Sequence, residues 1–199
     1  MTKQEIRQQM LLQRRDLDAD TKAFHDMLVF ERAHKQRVFQ RAERVHVFRS
    51  TTDEIDTMKF IEYAWGTGKD VFVPVVDRAT STLLHVKVTY NTTWREASYG
   101  IYEPEHFTSS DVAEASSFGP TSVIIVPLLA FDTQCHRLGY GKGFYDAFLR
   151  DVAAPTIGLA YEFQRVRSLP IESHDIALTC VATEQRLYVP AVPPSPQHP

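Results

Sequence analysis

The chain has 199 residues, a formal net charge of −3 and 43% hydrophobic residues, values that are typical of a globular domain. The slight acidic excess argues against broad electrostatic attachment to nucleic acid, which needs a basic surface. The first 18 residues are polar and lack the apolar core of a signal peptide, and no apolar run is long enough to span a membrane. We therefore expect a cytoplasmic protein. Cys135 and Cys180 lack zinc-site or disulfide-framework spacing and are expected to be reduced thiols.

The N-terminal segment predicts an amphipathic helix. Thr2 and Glu5 form a capping-box pattern that would begin the helix at about Lys3. On a helical wheel, an apolar stripe forms from Ile6, Met10 and Leu17. One edge of that stripe carries the basic residues Lys3, Arg7 and Arg14. This basic edge is either placed over a cleft or is a solvated helix face, the more usual position of surface charges.

The rest of the chain alternates between strand and helix patterns. In order, we predict a helix over about 23–33, a strand over 45–48, a helix over about 54–65, strands over 71–76 and 83–89, a strand buried on both faces over 123–126, a short helix over about 143–151, and strands over 156–160 and 177–181. This order predicts an α/β fold, a three-layer domain with a mostly parallel central sheet flanked by helices. We expect one domain over 1–189 and a disordered, proline-rich tail over 190–199.

The densest chemical signal is the segment 127–146, which begins just after the buried strand. Its glycines are predicted to lie directly after the buried strand and directly before the short helix, at the alternate positions Gly139, Gly141 and Gly143. Glycine lets backbone N–H groups approach an anion closely, and a helix N-terminus adds unpaired donors. The segment therefore predicts a phosphate site, and the alternative is a glycine-rich turn that serves only tight packing.

Charged residues in the same segment suit a nucleotide. Arg137 and Lys142 add cations beside the glycines, and Asp146 is an oxygen ligand suited to Mg²⁺ held between a carboxylate and phosphates. Asp146 could instead be a favourable acid in the first turn of its helix, and Glu54 likewise. The spacing matches neither the Walker A pattern nor GxGxxG, so the pattern alone does not name the nucleotide.

The whole segment resembles the signature of the 5-formyltetrahydrofolate cyclo-ligase family, as do several pieces elsewhere in the chain. The signature residues are Pro127, Phe131-Asp132 and the run Arg137-Leu138-Gly139-Tyr140-Gly141-Lys142-Gly143-Phe144-Tyr145-Asp146. Outside it, the matching pieces are Lys3 with Arg7, Glu54, Gly100-Ile101-Tyr102-Glu103-Pro104, Leu169-Pro170 and His174-Asp175. The resemblance covers nearly the whole chain to about Glu184.

The resemblance implies an enzyme that uses ATP and Mg²⁺ to convert 5-formyltetrahydrofolate into 5,10-methenyltetrahydrofolate. It implies catalytic roles for Arg137 and Lys142. It implies ATP binding by Lys3, Arg7, Arg137, Leu138, Gly139, Tyr140, Gly141, Lys142, Gly143, Phe144 and Tyr145. It implies folate binding by Glu54, Arg49, Tyr140, Gly141, Lys142, Gly143 and Phe144, and Mg²⁺ binding by Asp146 and Asp175. The implied partners are reduced folate and ATP, without nucleic acid or membrane.

Two positions depart from the family pattern. Cys135 stands where the family usually has a turn glycine, so we expect a different backbone conformation there. Arg49 stands directly before Ser50, at a position where the family often has tyrosine or another apolar residue. Two other functions remain open: a sugar-phosphate isomerase, which needs no ATP, and a nucleic-acid-binding or scaffold module, against which the near-neutral charge argues.

Overall fold

The computed structural model, which describes residues 1–97, 100–172 and 175–191, has an eight-stranded sheet at its centre. The strands of all its sheets are β1 (Arg44–Val47), β2 (Asp70–Asp77), β3 (Thr82–Val88), β4 (Trp94–Glu96), β5 (Tyr102–Pro104), β6 (Val112–Ala113), β7 (Ser122–Val126), β8 (Ala130–Phe131), β9 (Arg137–Leu138), β10 (Thr156–Leu159), β11 (Cys180–Ala182) and β12 (Leu187–Tyr188). The order across the central sheet is β12-β11-β10-β7-β1-β2-β3-β6. The inner strands pair in parallel. The pairs β11–β12, β2–β3 and β3–β6 are antiparallel.

Helices cover both faces of this sheet. The α-helices are α1 (Lys3–Arg15), α2 (Ala19–His34), α3 (Arg37–Gln40), α4 (Met58–Gly66) and α5 (Phe144–Arg150). One face packs against α2, α3 and α4, and it buries Val45 and Val47 of β1. The other face packs against α5, where the ring of His46 lies 4.7 Å from that of Phe148. The predicted three-layer α/β architecture with a mostly parallel sheet is confirmed.

The N-terminal helix packs beside a small hairpin rather than on the central sheet. Its predicted capping box is present, because Thr2 accepts from the Glu5 N–H at 3.2 Å and Glu5 accepts from the Thr2 N–H at 2.7 Å. Ile6 and Met10 are buried against Leu129 and neighbouring residues of the β8–β9 hairpin. Burial of each such side chain contributes about 1.5–3 kcal/mol, which fixes the basic edge of α1 in place.

The register of the sheet brings two loops to one edge. Val47, the last residue of β1, pairs with Ile125 of β7, which ends at Val126, so these two parallel strands end together. The segment 48–57 therefore leaves the sheet beside the segment that begins at Pro127. In open α/β sheets ligands bind in this position, outside the carboxyl ends of the strands.

The predicted helix over 54–65 begins later than predicted. It starts at Met58, because the preceding segment is tied back to the end of β1: Thr57 Oγ1 donates to the Phe48 carbonyl at 2.6 Å, and the Ser50 N–H donates to Thr57 Oγ1 at 3.0 Å. Glu54 lies in the turn before α4, where it accepts from the Thr51 N–H at 2.9 Å. The prediction that Glu54 opens this helix is wrong.

Two further predictions need correction in the C-terminal third of the chain. The glycine segment follows β9 of the hairpin and not the buried strand β7, because the chain folds back through β8 and β9 first. The last predicted strand begins at Cys180 rather than Ala177, since the Leu178 N–H is bonded to the Cys135 carbonyl outside the sheet. An antiparallel strand that was not predicted, β12, then closes the edge.

Some sequence predictions concern residues that the structure does not describe. Residues 192–199, which make up most of the predicted tail, lie outside the described residues, as does His174. The single-domain boundary at 189 stays a prediction. Within the described residues, none of the helices has the length and apolar character needed to cross a membrane.

Candidate active site

A loop over 139–143 forms the centre of the site, between β9 and α5. Gly141 and Gly143 adopt the left-handed conformation, with φ of 91° and 73°, and Gly143 is the N-cap of α5. Residues that alternate between right-handed and left-handed conformations can turn backbone N–H groups towards one side, an arrangement that binds anions. The left-handed glycines are compatible with such an arrangement, and the phosphate site stays a prediction.

The basic edge of α1 lies directly against this loop. Arg7 Nε donates to the Gly139 carbonyl at 2.9 Å. Lys3 Nζ lies 2.7 Å from Glu172 and 3.3 Å from Asp175, and the hydrogen bond to Glu172 raises the pKa of Lys3. Arg7 therefore contacts the glycine loop and is not part of a purely solvated helix face.

Glu54, Tyr140 and Arg14 form a hydrogen-bonded chain that joins three segments. The Tyr140 hydroxyl donates to Glu54 at 2.8 Å and accepts from Arg14 at 3.0 Å. Burial of the hydroxyl raises the pKa of Tyr140, and the Glu54 carboxylate adds to this effect. Arg14 is only 4% exposed, because its guanidinium also donates to the Leu128 carbonyl. Arg14 is therefore not part of a solvated helix face, and it contacts the loop through Tyr140.

The acidic residues proposed for a metal surround one buried arginine. Arg137 donates to Asp146 and to the Ile176 carbonyl, and its side chain is 4% exposed. Burial lowers the pKa of Arg137, while the charges of Asp146 and Asp175 oppose that change. Both carboxylates therefore lie near one guanidinium, although they are far apart in sequence.

The donor set of these two aspartates fits Mg²⁺. In the part of the chain that the structure describes, no group of at least three histidine, cysteine, aspartate or glutamate residues could hold a metal by itself. Mg²⁺ is usually bound through one or two carboxylates together with substrate phosphates, so two aspartates near the glycine loop match that preference.

Arg49 lies at the end of β1 between two aromatic rings. Its guanidinium carbon is 5.9 Å from the ring centroid of Trp94 and 5.5 Å from that of Tyr102. The two rings share one face of the β4–β5 hairpin, since Trp94 pairs with Pro104 and Tyr102 lies two residues before it. This cluster was missed by sequence reasoning, because the register of the hairpin has no signal in the residue spacing.

The remaining predicted site residues differ in their exposure. Lys142 is exposed, Phe144 is half-buried and outside the hydrophobic clusters, and Leu138 is buried against α1. The Tyr145 hydroxyl is buried without a hydrogen-bond partner within the described ranges. Burial raises the pKa of Tyr145, and the charge of Glu54 adds to this effect.

The turn at Cys135 has a left-handed backbone conformation, and its expected difference from the family's glycine turn stays a prediction. Cys135 has φ of 60°, a left-handed conformation that glycine adopts without steric cost. The cysteine keeps this conformation because its side chain is buried and its Sγ donates to the Tyr188 carbonyl at 3.5 Å. Cys135 and Cys180 are both free, and burial raises the pKa of the Cys135 thiol to about 11.

Comparisons with known proteins agree with the resemblance in the motifs. The family model described as the 5-formyltetrahydrofolate cyclo-ligase family matches residues 1–184. A 5-formyltetrahydrofolate cyclo-ligase of Escherichia coli K12 is 34% identical over 148 residues, which are 72% of this chain and 79% of the relative. A mouse protein of the same name is 28% identical over 192 residues, covering 92% of this chain and 93% of its own.

A solved structure has the same fold. The structure of Aquifex aeolicus 5,10-methenyltetrahydrofolate synthetase aligns with a TM-score of 0.81 and 25% identity, over 100% of this chain and 97% of that one. The match of the family model to almost the whole described chain, together with these relatives, shows that the chain belongs to the 5-formyltetrahydrofolate cyclo-ligase family of enzymes.

Proposed function

We propose that this enzyme converts 5-formyltetrahydrofolate to 5,10-methenyltetrahydrofolate with the hydrolysis of ATP to ADP and phosphate. Family membership supports the cyclo-ligase activity, and the use of ATP and Mg²⁺ is our extension of it. The observation that carries the proposal is the direct contact between segments that match separate family motifs. Arg7 bonds to Gly139, and Glu54 bonds to Tyr140.

ATP solves a specific chemical problem in this reaction. The formyl group on N5 is an amide, so its carbonyl carbon is a poor electrophile and its oxygen is a poor leaving group. Transfer of the γ-phosphoryl group to the formyl oxygen, with release of ADP, gives an iminium phosphate. N10 attacks the activated carbon, the N10 proton is lost, and the C–O bond then breaks to release phosphate as the ring closes.

The protein's contribution to such a reaction is positioning and charge neutralisation. Backbone N–H groups of the loop over 139–143 cradle the ATP phosphates. The cations Lys3, Arg7, Arg137 and Lys142 neutralise their charge, and Arg137 and Lys142 act on the transferred group. The buried position of Arg137 between two aspartates supports this role, because a guanidinium held on two sides keeps one orientation.

The folate is held from the opposite side of the loop. Glu54 orients it, and its carboxylate is only 6% exposed and already fixed by Thr51 and Tyr140. Arg49 and Phe144 complete the contacts. A buried carboxylate with fixed donors needs little reorganisation when a substrate arrives, and this supports Glu54 as the main orienting group.

Asp146 and Asp175 would hold Mg²⁺. When bound, the ion supplies charge neutralisation of the nucleotide phosphates. Both carboxylates already have basic partners, Arg137 and Lys3, and these are the cations assigned to the phosphates. The anionic nucleotide would therefore bind beside cations that already contact the two proposed metal ligands.

One assay tests the proposal. Purified protein is incubated with 5-formyltetrahydrofolate, ATP and Mg²⁺, and the absorbance of the methenyl product is followed. We expect turnover only when all three are present, and none with an ATP analogue whose γ-phosphoryl group cannot be transferred. Turnover without nucleotide, or none with it, would contradict the proposal. Glu54→Gln should lower the rate, whereas Glu62→Gln on the exposed side of α4 should not.

A further inference from the structure

Arg49 carries a positive charge that is only partly exposed, and no ion pair joins it to an acidic residue in the part of the chain that the structure describes. Its guanidinium lies beside Trp94 and Tyr102, and its Nε is buried without a hydrogen-bond partner across residues 1–97, 100–172 and 175–191. Buried polar groups are nearly always satisfied, and a desolvated charge is normally paired. An arginine in this condition is expected to have its partner in a ligand.

Three of the carboxylates in the surrounding segments are engaged by other groups. Asp53 lies 3.5 Å from Arg15, and Glu54 accepts from Thr51 and Tyr140. On the hairpin, Glu103 pairs with Arg95 at 3.6 Å. These acids are therefore not the missing partner of Arg49.

The flanking rings hold the guanidinium in one place. Arginine stacks on aromatic faces while its N–H groups stay directed outwards in the plane of the guanidinium, where they can bind both oxygens of a carboxylate. Trp94 and Tyr102 thus restrict the side chain without using its hydrogen-bond donors. This arrangement selects a planar anion rather than an apolar group.

We propose that Arg49, held by Trp94 and Tyr102, is a carboxylate subsite that binds the glutamate portion of the reduced folate. The inference rests on the proposed function, because it takes the folate as the substrate. Arg49 lies two residues after the end of β1 and shares the segment 48–57 with Glu54, so both residues belong to the same end of the sheet. Glu54 is assigned to the reacting part of the folate, and Arg49 supplies the positive charge that pairs with a carboxylate.

The test compares two substrates that differ only in charge. One is 5-formyltetrahydrofolate, and the other is the same molecule with both glutamate carboxylates converted to primary amides. Arg49→Leu removes the charge and keeps an apolar side chain between the rings, while Arg49→Lys keeps the charge and loses the planar donor group. Arg44→Leu is the matched control, because Arg44 lies at the other end of β1 and also stacks on an aromatic ring, that of Phe72 at 5.7 Å.

We expect Arg49→Leu to raise KM for the acid by about tenfold, the size of one lost charged hydrogen bond, and to leave KM for the diamide unchanged. Arg49→Lys should fall between the wild type and Arg49→Leu with the acid. KM for ATP should not change in either variant, and Arg44→Leu should behave as wild type. Thermal unfolding of each variant confirms that it is folded.

Equal effects of Arg49→Leu on both substrates would overturn the proposal, because they would indicate a packing role or contact with an uncharged part of the folate. No effect on either substrate would overturn it as well. If the wild-type protein shows no turnover at all, the proposed function fails separately. The subsite is then tested by calorimetric binding of the acid and the diamide to wild-type and Arg49→Leu protein, where a charge-dependent loss supports it and equal affinities reject it.

Discussion

Alanine substitutions in the glycine loop separate backbone strain from steric contact, one position at a time. At Gly141, φ is 91° and an added β-carbon would lie 3.1 Å from the guanidinium of Arg7. At Gly143, φ is 73° but nothing lies within 4 Å of the added atom. Gly139 has neither the positive φ nor a close neighbour. An alanine therefore meets both strain and steric contact at position 141, strain alone at position 143, and neither at position 139.

The magnitudes follow from these differences. A left-handed conformation costs an alanine about 1–2 kcal/mol. Displacement of Arg7 weakens its hydrogen bond to the Gly139 carbonyl, which contributes about 1 kcal/mol. Gly141→Ala should thus lower the free energy of unfolding by about 2–3 kcal/mol and Gly143→Ala by about 1–2 kcal/mol. Gly139→Ala should cause no loss, because alanine restricts the unfolded chain and costs nothing in the fold.

Two measurements check this series. Urea unfolding gives the stability of each variant, and steady-state kinetics with each substrate varied in turn gives the effect on the site. Gly141→Ala should raise KM for ATP more than KM for folate, since it disturbs the phosphate loop. Lys3→Ala should raise KM for ATP by less, because the Lys3 side chain is 26% exposed and its charge is partly screened.

Specific outcomes would refute this reasoning. Equal stability of Gly141→Ala and Gly139→Ala would mean that neither the strain nor the contact with Arg7 exists in solution. Full ATP affinity in Gly141→Ala would mean that the loop is a packing device and the nucleotide binds elsewhere. If Lys3→Ala changes neither KM, the N-terminus of α1 is only a solvated element.

Three further predictions concern other parts of the site and the core. Tyr140→Phe should destabilise the fold by about 2 kcal/mol in urea, because its hydroxyl bonds two buried charged side chains; a loss no larger than that of Tyr90→Phe, at an exposed tyrosine, would contradict this. Asp146→Asn should raise the Mg²⁺ concentration needed for half-maximal activity in a metal titration of folded protein, and an unchanged concentration would reject the metal role. Burial lowers the pKa of His85 from 6.5 to about 4, so the unfolded chain binds more protons between these values and stability should fall as the pH drops through this range. Urea unfolding at several pH values should show a weaker decline in His85→Gln, and equal declines would argue against His85 as the cause.

The sequence was sufficient for features that depend on neighbouring residues. The capping box at Thr2 and Glu5 is local, and it predicted the start of α1 correctly. The β-branched run over 123–126 predicted a strand buried on both faces, which is β7. The motif over 137–146 predicted the family, because its residue types are fixed at each position. Location in the cytoplasm and the ligand contacts of each site residue stay predictions.

Other features were decided only when distant segments met. The start of α4 moved to Met58 because side chains of the 48–57 segment bond back to the end of β1, which outweighs the helix pattern at Glu54. Cys135 accepts a left-handed conformation because its side chain is buried against elements from elsewhere in the chain.

The active-site contacts belong to this second group as well. Arg14 reaches Tyr140 from the other end of the chain, and Arg49 is enclosed by Trp94 and Tyr102 through the register of the β4–β5 hairpin. Residue spacing reports the period of a helix or a strand, which is set within a few residues. Contacts between segments depend on the order and register of the strands, and these are set by packing of the whole sheet.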